Sequence, residues 1–250
     1  MASRKAHASP GETFLVSEIY PTIQGESSLV GHATVFVRLF GCNLRCVWCD
    51  SMHAVEGTGF RERTVDDVAG EIRKYLGESE SDATRGIQFV CWTGGEPLLQ
   101  WRSIARAISS LPGALVHTIE TDGEIDLRAF DAEVRGHRDA GRVRYIMDVK
   151  CPGSGMTAKH AYENLERLRP IDEVKFVLAD RRDYEFAKQV LGDRPTRAST
   201  ILFSPVTPAH EVRRGLDPAT LATWILEDRL RVRLQPQIHK YIWPGKERGV

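Results

Sequence analysis

Cys42, Cys46 and Cys49 occupy the segment RLFGCNLRCVWCDS with the spacing C-x3-C-x2-C. A 4Fe–4S cluster usually takes one thiolate per iron, so three cysteines leave one iron open to an outside ligand. An open iron is a place for catalysis, whereas a closed cluster carries electrons or braces a fold. Zinc is the competing reading, because His53 follows Cys49 by four residues and could complete a tetrahedron. Zinc sites more often pair two short ligand hairpins far apart in sequence, and here the ligands crowd one segment. A disulfide framework fits less well, since the chain has five cysteines, an odd number, and is not a small Cys-dense domain.

The other polar motifs share one position, the carboxyl end of an expected strand. Short β-branched runs alternate with helical stretches, as βα units do. The strand candidates are ATVFVRLF, GIQFVCW, ALVHTIE, VRYIMDVK, EVKFVLA, STILFS and RVRLQ. The helix candidates are TVDDVAGEIRKYL, with Thr64 as N-cap, then WRSIARAISSL, AKHAYENLERL, RRDYEFAKQVL and PATLATWILEDRL. DLRAFDAEVRGHRDAG is a weaker helical pattern. The cysteine loop follows the first strand, TGGEP the second, ETDGE the third and DVKCPGSG the fourth. SPVTP follows the sixth and QPQIHK the seventh. Parallel (β/α) barrels build their active sites from these loops. Too few units fit for a full barrel, so the expected fold is α/β, an incomplete (β/α)6-type TIM barrel.

Lys plus Arg and Asp plus Glu both number 34 in the 250 residues. A net charge of zero argues against broad binding to nucleic acid or to anionic membrane surfaces. No run is apolar enough to span a bilayer, and the polar start MASRKAHASPGE lacks the apolar stretch of a secretory signal. Residues 1–12 are expected to form a flexible tail, and 13–250 a single domain in a cytoplasmic protein.

The cysteine loop, with Trp48 before Cys49, and TGGEP after the next strand resemble the radical S-adenosylmethionine (SAM) superfamily. More narrowly, EIYPTIQGES, FVRLFGCNLRCVWCDS, TGGEP, DVKCPGSGM and LQPQIHKYIW resemble the 7-carboxy-7-deazaguanine synthase family across nearly the whole chain. That resemblance implies a lyase that converts 6-carboxy-5,6,7,8-tetrahydropterin to 7-carboxy-7-deazaguanine with loss of ammonia, in the pathway to queuosine and related 7-deazapurines. It implies a 4Fe–4S cluster on Cys42, Cys46 and Cys49, SAM on the open iron, and Mg2+ on Ser51, where the family usually has threonine. It places Trp48, Asp50, Gly94, Gly95, Glu96, Glu120, Asp148, Lys150, Ser154 and Ser204 around SAM. The pterin would fall to Ile23, Gln24, Gly25, Glu26, Arg38, Thr93, His239 and Val250. Arg38 suits a carboxylate because its guanidinium is a planar fork of donors. The adjacent glycines let the backbone approach a ligand. Replacing Gly95 is therefore expected to block SAM while sparing the cluster. ETDG departs from the family's commoner ETNG at Asp122. The resemblance also implies a homodimer and a flavodoxin or ferredoxin as electron donor. A glycyl-radical activating enzyme and a non-enzymatic zinc-stabilised binding module are the competing functions.

Overall fold

The computed structural model describes residues 11–76, 86–157, 161–207, 215–246 and 248–250. Most of the expected N-terminal tail, part of AKHAYENLERL, Pro208 of SPVTP and Glu247 lie outside the described residues.

One nine-stranded sheet organises the chain, in the order β3-β1-β2-β4-β5-β6-β7-β8-β9. Its strands are β1 (Thr13–Ile23), β2 (Ala33–Leu39), β3 (Arg61–Thr64), β4 (Phe89–Gly94), β5 (Val116–Thr121), β6 (Val143–Asp148), β7 (Glu173–Leu178), β8 (Thr200–Pro205) and β9 (Arg233–Leu234). From β2 through β4 to β9 every neighbour pairing is parallel. β1 is antiparallel to both β2 and β3. The helices between the parallel strands are α1 (Val65–Tyr75), α2 (Trp101–Ser110), α3 (Arg128–Glu133), α4 (Arg135–Asp139), α5 (Glu163–Arg167), α6 (Arg181–Asp193) and α7 (Pro218–Glu227). A short helix, α8 (His239–Ile242), follows β9.

The seven strand candidates all form strands. The sequence reading passed over β1 and β3. β1 carries Pro21, which has no N–H for a ladder. Beyond Val16, β1 is paired only with β2, so one side of the strand stays free of a ladder and tolerates the proline.

Side-chain parity in the parallel strands separates the core from the site. Val35, Val37, Val90, Trp92, Ile119, Tyr145, Val174, Phe176 and Phe203 point to the helices and are buried. They meet Ile72, Ile104, Ile108, Leu165, Tyr184 and Leu221 in one apolar cluster. Each such side chain contributes about 1.5–3 kcal/mol by leaving water. The intervening positions, among them Arg38, Thr93, Glu120, Asp148, Lys175 and Ser204, line one cavity on the inner face.

At the amino ends of β6 and β7, Arg138 donates to both oxygens of Asp172 at 2.7 and 2.8 Å, and both residues are buried. α1 starts on a reciprocal cap between Thr64 and Asp67.

The sheet does not close by strand pairing, yet its two ends meet. Ile238 N–H, just after β9, donates to the Gly25 carbonyl at 3.1 Å, and Gly25 lies between β1 and β2. The sheet must therefore curl until its outer strands face one another, which is the expected incomplete barrel.

Candidate active site

Adjacent strands present the cavity's polar groups side by side because the ladder is in register. Arg38 pairs with Thr93, Glu120 with Ile146, Asp148 with Lys175 and Val177 with Ser204. Thr93 Oγ1 donates to Glu120 Oε2 at 2.8 Å, and Gln24 Nε2 donates to Glu120 Oε1 at 3.3 Å. Glu120 thus ties the β1–β2 loop to the ends of β4 and β5.

The cysteine loop forms one wall, with Cys42, Cys46 and Cys49 all lining the cavity. Its backbone is pinned from three sides. Gly41 N–H donates to Ala54 O at 2.8 Å, Glu96 N–H to Gly41 O at 2.8 Å, and Val47 N–H to Ser154 O at 3.1 Å. Arg45 turns its guanidinium back onto the carbonyls of Cys42 and Leu44. Burial pushes the Cys42 thiol up to about 11 and also raises Cys46 and Cys49. Half-buried thiols of this kind ionise when a cationic metal group offsets the desolvation. His53, the fourth ligand of the zinc alternative, is engaged elsewhere: its Nε2 lies 3.4 Å from Glu18 Oε1. Among the described residues, no three His, Cys, Asp or Glu side chains converge on a single ion.

Gly95 and Gly25 each sit in a close approach that shapes the cavity wall. A Cβ on Gly95 would lie 2.1 Å from Gly41 O and 2.9 Å from Cys42 Cβ. The space above Gly95 is therefore taken by the cysteine loop, which differs from the expectation that its bareness serves SAM. A Cβ on Gly25 would lie 2.1 Å from His239 Nδ1. That contact seats α8 over the β1–β2 loop.

Glu96 and Ser154 do not line the cavity. Glu96 accepts from Leu98 N–H (2.8 Å), Asp122 N–H (2.7 Å) and the Thr121 hydroxyl (3.0 Å), so it braces the rim. Ser154 Oγ donates to Cys151 O at 2.7 Å. All the other expected residues, Val250 included, line the cavity.

Arg38 is already held inside the protein. It donates to Glu18 (2.8 Å), to the Tyr20 hydroxyl (2.6 Å) and to Ser51 Oγ (3.1 Å). The Tyr20 hydroxyl donates to Val250 O at 3.2 Å, and Gly249 N–H to Glu18 Oε2 at 3.2 Å. Burial pushes the Tyr20 phenol up to about 12, so it stays a donor.

Sequence reasoning missed Glu18, Tyr20, Lys175 and Gln237, and noted Asp122 only as a departure from the family pattern. For Lys175 a signal existed: EVKFVL alternates, and its polar residues fall on the face away from the helices. Asp122 lines the cavity too, and burial raises its carboxyl. Cys91 and Cys151 are both buried and pack as small hydrophobes.

Residues 37–175 match the Radical SAM superfamily. A 7-carboxy-7-deazaguanine synthase of Koribacter versatilis is 40% identical over 94% of this chain and 99% of its own length. The enzymes of that name from Chlorobaculum tepidum (35%, over 94% and 96%) and Methanospirillum hungatei (33%, over 91% and 84%) are also similar. The chain belongs to the 7-carboxy-7-deazaguanine synthase family of radical SAM enzymes. The crystal structure of QueE from Escherichia coli shares the fold, with a TM-score of 0.61 and 19% identity over 89% of this chain and 94% of that one. Streptococcus suis SuiB bound to S-adenosylmethionine gives 0.55 and 11% over 78% and 48%.

Members of the 7-carboxy-7-deazaguanine synthase family use a 4Fe–4S cluster and SAM, and the cavity fits both. Three thiols line it, and among the described residues no fourth cysteine joins them. Asp122 Oδ2, Asp148 Oδ1 and Ser204 Oγ are buried in its wall with no hydrogen-bond partner. Buried polar atoms left unpaired are costly, so these three suit a polar ligand rich in donors.

Proposed function

We propose that the cavity converts 6-carboxy-5,6,7,8-tetrahydropterin to 7-carboxy-7-deazaguanine with loss of ammonia. One observation carries the reading. The ring of Gln24, Glu26, Arg38, Thr93, Glu120 and His239 lines the same cavity as the three cysteines. A pterin carries a planar face, an amino-pyrimidinone edge and a carboxylate, and that ring offers a partner to each.

The cluster and SAM, when bound, supply the one-electron chemistry that opens the reaction. The protein binds, orients and excludes water. Cys42, Cys46 and Cys49 hold the cluster. Trp48, Asp50, Gly94, Asp148, Lys150 and Ser204 surround SAM, while Gly95, Glu96 and Ser154 support the loops that carry it. Gln24 and Glu26 take the heterocycle edge. The Arg38 guanidinium faces the carboxylate, already fixed by Glu18 and Tyr20, so little side-chain freedom is lost on binding. His239 closes the mouth, and burial shifts its imidazole towards the neutral form.

Ser51 Oγ, which donates to Asp50 at 3.0 Å, is the oxygen offered to Mg2+. A flavodoxin or ferredoxin is the proposed reductant, and a homodimer the proposed assembly. No described helix is long and apolar enough to cross a membrane.

Anaerobic incubation with SAM, reductant and the carboxypterin, read by mass spectrometry, tests the assignment. The deazaguanine product is expected. A glycyl-radical signal on a protein substrate, with the pterin untouched, would transfer the chain to the activating enzymes.

A further inference from the structure

One ion-paired chain in the cavity has a member with no assigned role. Lys150 Nζ lies 2.7 Å from Asp148 Oδ2. Lys175 Nζ lies 4.0 Å from that same oxygen and 2.8 Å from Glu26 Oε2. The alternating charges Lys150, Asp148, Lys175 and Glu26 therefore run from the end of β6 to the β1–β2 loop. The side chains of Lys175 and Glu26 are both 13% exposed. The other carboxylate oxygen, Glu26 Oε1, accepts from Gln237 Nε2 at 2.6 Å. Each oxygen of a carboxylate has two acceptor sites, so each keeps one for a ligand.

We propose that Lys175 is the positioning residue for Glu26: its ammonium holds the carboxylate anionic and fixed, and so makes the site select a heterocycle edge built of N–H donors. The inference rests on the reading of Glu26 as a pterin contact. An anionic carboxylate only accepts hydrogen bonds, so it matches the amino group and ring N–H of a pterin. It rejects a 2-oxo ring that turns a carbonyl toward it. Without its cation, a carboxylate in this enclosure takes a proton from water and gains an O–H donor. The site would then tolerate the carbonyl. Burial alone would raise the Glu26 carboxyl, but its contacts with Lys175 and Gln237 together hold the group below the usual range. Burial likewise works against the Lys175 ammonium, and Glu26 and Asp148 more than offset it.

Anaerobic calorimetry of cluster-loaded protein tests this, with 6-carboxytetrahydropterin and its 2-oxo counterpart as the two probes. The parent is expected to prefer the pterin by tenfold or more, as sites built to bind a donor do. Lys175→Met should bring the ratio towards one without loss of iron. Lys175→Arg, which keeps the charge, should keep most of it. In the double variant Glu26→Gln with Lys175→Met, no charge is left unpaired. Its thermal midpoint should recover relative to Lys175→Met while the ratio does not. If the ratio recovers with the midpoint, Lys175 is only structural and the proposal fails. If Glu26→Gln loses the ratio but Lys175→Met keeps it, the role of Lys175 fails while that of Glu26 stands. If Glu26→Gln itself keeps the ratio, Glu26 does not read the pterin and both fall. Should Lys175→Met not load iron, Lys175→Gln carries the same comparison.

Discussion

Gly95→Ala asks what the bare glycine is for. Gly95 does not occupy the left-handed region, whereas Gly94 has φ +134°, so alanine at 95 tests space alone. The new methyl would sit 2.1 Å from Gly41 O and 2.5 Å from Gly41 C, where ordinary contact begins at 3.4 Å. Backbone atoms cannot rotate aside as a flexible side chain would. Relief requires the strands or the cysteine loop to move by about 1.3 Å. That shift strains or breaks the bond from Glu96 N–H to Gly41 O. Overpacking of this kind costs about 1–3 kcal/mol. The larger consequence is at Cys42, the next residue, because a misplacement of about 1 Å at a catalytic centre can cost about a hundredfold. The assay is iron and sulfide per chain after anaerobic reconstitution, followed by SAM calorimetry on whatever cluster remains. Cluster loading is expected to fall sharply, and SAM binding with it. Gly70→Ala is the control, since a Cβ there meets nothing within 4 Å and alanine suits the helix interior. Full iron with weakened SAM binding would refute the reasoning, because it would return Gly95 to direct contact with SAM. Full iron with unchanged SAM binding would refute both roles.

Replacing any of Cys42, Cys46 or Cys49 by Ala should abolish both the cluster absorbance and SAM cleavage. A Cys46→Ala protein with a full cluster would end the three-thiolate assignment. Arg38→Ala should raise the KM for the carboxypterin by an amount equivalent to about 1.5–3 kcal/mol, the worth of a charge-assisted bond. It should spare uncoupled SAM cleavage, and unchanged steady-state kinetics would place the carboxylate elsewhere. Ser51→Ala should flatten the Mg2+ dependence of turnover and Ser51→Thr preserve it. Identical Mg2+ titrations for the Ala variant and the parent would remove Ser51 from the metal. His117 is buried and accepts from Trp92 Nε1 at 3.2 Å, and desolvation pushes its imidazole down to about 3. The unfolded chain takes up this proton near pH 6.5 while the fold refuses it. The neutral imidazole's contribution is therefore complete above about pH 6.5 and is lost as pH falls towards 3. By pH 5 the loss is about 2 kcal/mol. His117→Asn keeps an acceptor for Trp92 and cannot charge. Urea midpoints of the parent should fall more steeply than the variant's between about pH 7 and pH 5, and parallel curves would show that His117 does not titrate this way.

The parallel strands were legible because a strand buried against helices must be apolar at every second residue. β7 reads E-V-K-F-V-L, and Val174, Phe176 and Leu178 are its buried apolar residues. The strand-end motifs were legible for the same reason, since polar residues interrupt apolar runs only where the chain leaves the core. Direction was not. TGGEP marks a rim, but only the register of β4 against β2 shows that Gly95 faces the Gly41 carbonyl. Glu96 stands in the same motif and turns into the protein instead. Tyr20 and Glu18 were hidden because β1 carries no clean alternation, and their partners Arg38, Gly249 and Val250 lie far away in sequence. The weak pattern DLRAFDAEVRGHRDAG became two short helices, α3 and α4. Buried Arg138 there spends its guanidinium on Asp172 rather than on the exposed face that helical spacing alone would suggest.

The cavity's two halves are held by different physics. Around the cysteine loop, backbone hydrogen bonds from β2 through β8 fix every group to its neighbour, so Arg38, Thr93, Asp148, Lys175 and Ser204 inherit the rigidity of the ladder. The mouth crosses the seam where no strand pairing exists. It rests on the Ile238–Gly25 bond, the Gln237–Glu26 bond and the close seat of His239 on Gly25. Radical chemistry needs the first half exact, because a displaced cluster or SAM gives no reaction. The second half can part without breaking a sheet. Gly25 sits at that seam: a methyl there would push His239 off the loop and pry the mouth open. The fold therefore keeps its least constrained contacts at the seam and its most constrained ones around the cysteine loop.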